Sequence, residues 1–209
     1  MKIAVIAAQG KSGQAFVHAA LNAGHVVRAG VRGRAPFDAH ERLELVECDA
    51  LDSSQVTKLI KGSDAVVSLI GHVKGSSSNL QTVATQNAIE AMQTMGIKRF
   101  VSLTGTGARA KGDTPSRVDK ILNMLVEKVD PHRIADGKAH VEILQASKLH
   151  WTVLRVLKLT RGKAHKYSLT MHGPAKLLTP RKEVAQAILQ VLSSDEYIRT
   201  QPVITSLRS

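Results

Sequence analysis

The sequence predicts an α/β fold in which a doubly wound parallel sheet carries helices on both faces, in a single domain with a small carboxyl-terminal region. Three observations carry that expectation. Apolar runs of strand length alternate with segments of helical period along most of the 209 residues. A glycine turn joins the first run to the first helix. No stretch suggests a linker between two domains, and a chain of this length can bury one substantial core.

The elements follow in order. Ile3 to Ala7 is a continuous apolar run, as in a strand buried on both faces. Gly10 and Gly13 punctuate the turn, and from Gln14 the apolar residues Phe16, Val17, Ala20 and Leu21 recur at helical spacing until Gly24. His25 to Val31 reads as the second strand. Ala35 to His40 is a loop, Leu43 to Cys48 the third strand, and SSQVTKLIKG the next helix. Asp64 to Ile70 is a fourth strand ending at Gly71, followed by the polar loop His72 to Asn79, placed to fold over a ligand. Leu80 to Met95 is a helix stopped by Gly96, and KRFVSLTG is the fifth strand. Ala108 to Pro131 is a polar, partly helical excursion, Arg133 to Ser147 a helix, and Leu149 to Leu154 the sixth strand. A short strand near Tyr167 to Met171 and a helix from Lys182 to Ser193 complete the reading.

The first strand, turn and helix form a dinucleotide site. Orphan amides and the dipole at a helix amino end favour phosphate. Gly10 lets the backbone approach a pyrophosphate, with Lys11 and Ser12 beside it, and Gly13 lets the helix pack close to the strand. Ala7 or Ala8 stands where G-x-G-x-x-G has its first glycine. A nucleotide P-loop is excluded: Gly10-Lys11-Ser12 supplies its G-K-S ending, but the glycine required five residues before Gly10 is replaced by Val5.

An NAD site tends to carry a carboxylate after the second strand; here Arg28, Arg32 and Arg34 precede the first acid, Asp38. Arg32, assisted by Arg34 or Lys11, would hold the 2'-phosphate of NADP(H) by paired charged hydrogen bonds; a solvated basic loop is the alternative. Asp49 and Ala50 leave the third strand where an adenine would lie, although Asp49 or Asp52 is also needed to cap the next helix. Ile70 and Gly71 end the fourth strand at the same edge. Thr104, at the exit of the fifth, can bond a substrate carbonyl or the nicotinamide carboxamide.

The net charge of +12 is concentrated in the carboxyl half, and Arg155 to Lys182 carries eight cations and no acid. Such a field suits an anionic small-molecule substrate, although it also serves as a solvated face. No recognition motif or aromatic interleaving accompanies it, so a specific nucleic-acid role is not expected. No apolar run approaches 18 residues, the amino end lacks a signal-peptide layout, and the one cysteine, Cys48, reads as a buried thiol; a cytoplasmic protein is expected, with no metal site.

Taken together, IAVIAAQGKSG, VRGR, VECDALD, DAVVSLIG, IKRFVSLTGTGA, KAHVEILQASKLHWTVLR and TPRKEVAQAI make the chain resemble, over nearly its whole length, the NAD(P)H-binding atypical short-chain dehydrogenase/reductases. That group includes the NmrA-like proteins and the biliverdin reductase B and flavin reductase type. The resemblance implies a Rossmann-like NADP-binding domain with a substrate region built from the carboxyl-terminal segments. It also implies cofactor contacts at Gly10, Ser12, Gly13, Arg32, Asp49, Ala50 and Gly71. Ordinary members pair a tyrosine with a lysine four residues on; if Lys138 is that lysine, the tyrosine position is Ile134, which has no proton to give. Val156 stands where the group has proline after the arginine. The activity so implied is an NADPH-dependent reductase of a conjugated flavin, quinone or tetrapyrrole, with Thr104 and Lys138 as candidate catalytic groups and His72, His132, His140, His165 and His172 as further proton donors. The alternative is an NmrA-like binder that senses NADP and acts on a protein partner.

Overall fold

The computed structural model describes residues 1–73 and 75–207. Strand β1 (Lys2–Ile6) leads into α1 (Lys11–Asn22), β2 (Val26–Val31), β3 (Leu43–Glu47) and α2 (Ser53–Ile60). Then come β4 (Ala65–Ser68), α3 (Leu80–Met95), β5 (Arg99–Gly105), α4 (Arg117–Val129), α5 (Pro131–Ala146) and β6 (His150–Val156). The chain continues through β7 (Leu159–Thr160), β8 (Tyr167–Thr170), β9 (Thr179–Pro180), α6 (Arg181–Leu192), a 3-10 turn (Asp195–Tyr197) and β10 (Val203–Ser206).

The main sheet has the order β3-β2-β1-β4-β5-β6-β10-β8. All neighbours pair in parallel except β10 and β8, which are antiparallel. The winding therefore reverses between β1 and β4, opening a crevice at the carboxyl ends of those strands. Burial on both faces explains the unbroken apolar runs. Ile3 and Val5 of β1 join Phe16, Val17, Val184 and Ile188 of α1 and α6 in one core, whereas Ala4 and Ile6 join Leu59, Met92 and Leu144 of α2, α3 and α5 in the other.

Most expected elements occur within a residue or two. Gly96 ends α3 with φ +71°, the left-handed conformation that glycine adopts without strain. The excursion at residues 108–131 forms α4, whose Asp130 ends that helix and caps α5. Two corrections concern the carboxyl end. The chain does not finish with a helix: after α6 it inserts β10 beside β6, and β8 pairs on its outer side. Among the described residues the main sheet consequently has eight strands, and its last pair is antiparallel. Only four residues long, β10 carries no periodic signal, yet Val203, Ile204 and Ser206 are buried in it. Where the resemblance calls for proline, Val156 extends β6, and its carbonyl accepts from Thr106 N at 3.0 Å.

Ala7, one of the two alanines at the start of the turn, has φ +60°. For an alanine that conformation costs ~1–2 kcal/mol. Ala7→Gly is expected to remove this strain, less ~0.4–1 kcal/mol of added unfolded-state freedom, for a net gain of roughly 0.5 kcal/mol. Urea unfolding checks it: the midpoint rises, whereas a lower midpoint means that the lost methyl packing outweighs the strain.

Candidate functional site

The turn after β1 is shaped by close backbone approach. A Cβ on Gly13 would lie 2.4 Å from the carbonyl oxygens of both Ala7 and Ala8, so only glycine lets α1 settle this near the strand. Gly10 occupies the cap position of α1 without any side-chain cap, and the first-turn amides face the crevice at the winding reversal. Gln9, which the motif reading passed over, ties the turn down. Its carbonyl accepts from Gln14 Nε2 at 2.6 Å, and its Oε1 accepts from Arg32 N at 2.6 Å.

On one side of this turn lies a cavity of about 560 Å³, lined by Gly10, Arg32, Asp49, Ala50, Ile70 and Gly71 together with Gln9 and Cys48. Asp52 caps α2 by accepting from the amides of Ser54 and Gln55, which leaves Asp49 outside the capping role. Asp49 accepts from Leu51 N at 3.0 Å, and its other oxygen is 3.8 Å from Arg32 Nη1. The Arg32 side chain is 65% exposed and thus available to a ligand. Arg28 is not: it is bound to Glu44 and to the carbonyls of Leu59 and Lys58. Arg34 and Lys11 are exposed and lie outside the cavity lining. Burial, and then the charges of Asp49, Asp52 and Glu47, push the Cys48 thiol up to about 11, so it remains a packed thiol. Val73, Gly75, Ser76 and Ser77 of the loop after β4 border the same cavity; Lys74 of that loop lies outside the described residues.

A second cavity, of about 280 Å³, shares Leu69, Ile70 and Gly71 with the first and continues past Ser12 to Thr104, Ile134, Gly137 and His72. Together they make one groove across the carboxyl ends of β1, β4 and β5. Gln81, buried on α3, donates to the carbonyls of Ile70 and Leu103 and so fastens two of those strand ends. Gly137 allows α5 to approach Thr104, since a Cβ there would be 2.9 Å from Thr104 Oγ1. Neither residue had a local motif to announce it; both matter only because distant elements meet.

Several candidates separate here. Ile134 borders the groove, so the position of the missing tyrosine faces the ligand space with an apolar side chain. Lys138, one helical turn on, is exposed and borders an adjoining surface cavity with Lys120, Met124 and Glu127, a cavity that shares Ile134, Gly107 and Asn123 with the groove; Lys138 does not line the groove with Thr104. Among the five histidines only His72 borders the groove. His140 is buried, hydrogen-bonded to Ser102 Oγ and to the Gly137 carbonyl, and its pKa is lowered chiefly by burial, which makes it a neutral packing residue. His132, His165 and His172 are exposed.

The basic carboxyl segment also changes meaning. Arg155 is fully buried, its guanidinium paired with both oxygens of Asp113, so it contributes nothing to a surface field. Lys158, Arg161, Lys163, Lys166, Lys176 and Lys182 remain exposed. Trp151 is buried in β6, in the core rather than at a stacking platform. Among the described residues, no helix is long and apolar enough to cross a membrane.

Uncapped amides at the middle of a groove, with a cavity on either side, fit an extended dinucleotide. Solved structures share the architecture. A short-chain dehydrogenase/reductase from Veillonella parvula, determined in complex with NADP, superposes with a TM-score of 0.82 at 17% identity, over 99% of this chain and 94% of that one. An anaerobillin reductase from Escherichia coli O157:H7 gives 0.79 at 17% identity, over 100% and 98%. A candidate NADH-flavin reductase from Streptococcus pneumoniae gives 0.80 at 20% identity, over 99% of each chain. At such identities the likeness is one of fold. The family model described as NAD(P)H-binding matches residues 7–195, which carry the glycine turn, the groove and α6 alike. The chain therefore belongs to the NAD(P)H-binding family, in agreement with the atypical short-chain dehydrogenase/reductase character of its sequence.

Proposed function

We propose that the protein is an NADPH-dependent reductase of a small conjugated acceptor, such as a flavin, quinone or tetrapyrrole. The observation that carries this reading is the groove itself. It runs from Arg32, past the uncapped amino end of α1, to a cavity bordered by Thr104 and by Ile134 in place of tyrosine. In this assignment the amides beside Gly10, Lys11, Ser12 and Gly13 hold the pyrophosphate, Asp49 and Ala50 border the adenosine, and Ile70 and Gly71 support the chain between the two ends. Arg32 leaves its loose contact with Asp49 for the 2'-phosphate, with Arg34 near enough in sequence to assist. Thr104 bonds the nicotinamide carboxamide or the acceptor. The cofactor supplies hydride; the protein orients the acceptor and excludes water. A groove with no phenol suits acceptors already activated by conjugation, and the exposed lysines of the carboxyl segment favour an anionic one.

Arg32→Ala is expected to weaken NADPH binding about 10- to 100-fold, the loss of ~1.5–3 kcal/mol from a charged hydrogen bond, and to change NADH binding little. Calorimetric titration of both nucleotides checks it. Equal loss for both removes the 2'-phosphate assignment. The activity is tested by NADPH oxidation with FMN, menadione, dichlorophenolindophenol and biliverdin; tight NADPH binding without any turnover favours the sensor alternative.

A further inference from the structure

The tyrosine-less end of the groove is lined by one imidazole, that of His72. Among the described residues, the titratable side chains around the 280 Å³ cavity are His72 and Arg133, and arginine keeps its proton. His72 leaves β4 just after Gly71, and its Nε2 lies 2.7 Å from Asp136 Oδ2 across 64 residues of sequence. The His72 side chain is 6% exposed and that of Asp136 fully buried.

Asp136 is itself fixed from three sides. It accepts from Gln81 N at 2.7 Å, Thr82 N at 2.9 Å and Thr82 Oγ1 at 2.6 Å. It thereby serves the amino end of α3, where Asn79 provides no side-chain cap. Surrounded by donors, the carboxylate acts as acceptor, so the bond to His72 requires the proton on Nε2. Nδ1 is then the nitrogen left for a ligand, and it has no protein partner among the described residues. Such a carboxylate fixes both ring orientation and tautomer.

We propose that His72 is the proton donor of the reductase reaction and Asp136 its positioning residue, an assignment that rests on the reductase reading above. An electron-poor carbon or ring nitrogen of the acceptor's conjugated system takes a hydride with its electron pair from the reduced nicotinamide. The π pair displaced at that atom moves to a conjugated carbonyl oxygen or a second ring nitrogen. That atom takes the proton from Nδ1 of the imidazolium, one N–H bond breaking as the new bond to hydrogen forms. Two electrons and two hydrogens are gained by the acceptor, two electrons are lost by the nicotinamide, and Nδ1 regains a proton from solvent. Asp136 holds Nε2–H throughout.

The test uses the whole chain and two readouts. In histidine-labelled protein, the His72 ring signals, identified by their absence in His72→Gln, should move on adding NADP+. Adenosine 2',5'-bisphosphate, which lacks the nicotinamide, should leave them in place. With whichever acceptor the wild type reduces, His72→Gln should lower kcat about 100-fold, within the range for a general acid, while KM for NADPH stays within about threefold. Asp136→Asn should shift the pH limb of kcat that His72→Gln abolishes, which a merely structural role does not do. Ring signals that respond alike to both nucleotides, or a His72→Gln kcat within about threefold of wild type, overturn the proposal. Ring signals that respond only to NADP+, in a protein that reduces none of the acceptors, refute the reductase reading and the donor role with it, while leaving the nicotinamide contact in place.

Discussion

Arg155→Met is expected to cost about 3–5 kcal/mol of stability, because it strands a buried carboxylate. Arg155 is wholly inaccessible; besides Asp113, it donates to the carbonyls of Gln201, Ala108 and Met171. These contacts join β6 to the segment before α4, to the approach to β10 and to the end of β8. In a chain of this size ~1 kcal/mol moves the melting temperature by about 2–4 °C, so a fall of roughly 10 °C is expected in thermal unfolding followed by circular dichroism. A fall below about 2 °C would show that the pair is solvated or replaceable. Removing both charges, as Arg155→Met with Asp113→Leu, should restore part of the loss, since an apolar pair leaves no orphaned charge.

The same pair sets an acid limb. Burial raises the Asp113 pKa, but hydrogen bonds from Arg155 and the Ala110 amide, with the charges of Arg155 and Arg109, outweigh it and hold the carboxyl below its usual 3.8. A group with a depressed native pKa stabilises the fold above its unfolded value and loses that contribution as pH falls through the native one. Stability should therefore decline below about pH 4, and in Arg155→Met this part of the decline should vanish.

Gly13→Ala is expected to weaken NADPH and NADH binding together, by about tenfold or more, and to lower stability by ~1–3 kcal/mol. The added Cβ would sit 2.4 Å from two backbone oxygens, which no rotamer change can relieve, so α1 must move away from β1. Its first-turn amides then miss the pyrophosphate. Calorimetry with both nucleotides separates this outcome from that of Arg32→Ala, where the two affinities diverge. Unchanged affinity in Gly13→Ala would mean that the helix end does not hold the phosphates.

Much was legible in the sequence because its signals are local. A strand buried on both faces reads as an apolar run, a helix reads as spacing, and Gly24 and Gly96 mark helix ends by the left-handed turn they permit. That Gly10, Arg32 and Asp49 come together was legible for the same reason: each sits just beyond a strand, and a parallel sheet brings such positions to one edge. Even the division of labour between Asp49 and Asp52 was visible as an alternative, which the cap of α2 resolves.

What required the tertiary structure involves residues far apart in sequence. Whether an arginine makes surface charge or a buried tie depends on its partner, and Arg155 meets Asp113 across 42 residues. Lys138 and Ile134 lie one turn apart on α5 and share a surface cavity, but the helix's orientation lets only Ile134 also reach the groove. His72 could not be told from four other histidines until α5 brought Asp136 beside it. Short β10 became a strand only because β6 and β8 offered it backbone partners. The sequence by itself determined the order of the elements and the residues that close each one, since backbone propensity and periodicity act within a few residues. Tertiary packing alone decided which charges are buried, which side chains share the groove and which histidine faces it, because burial and pairing are properties of what lies opposite.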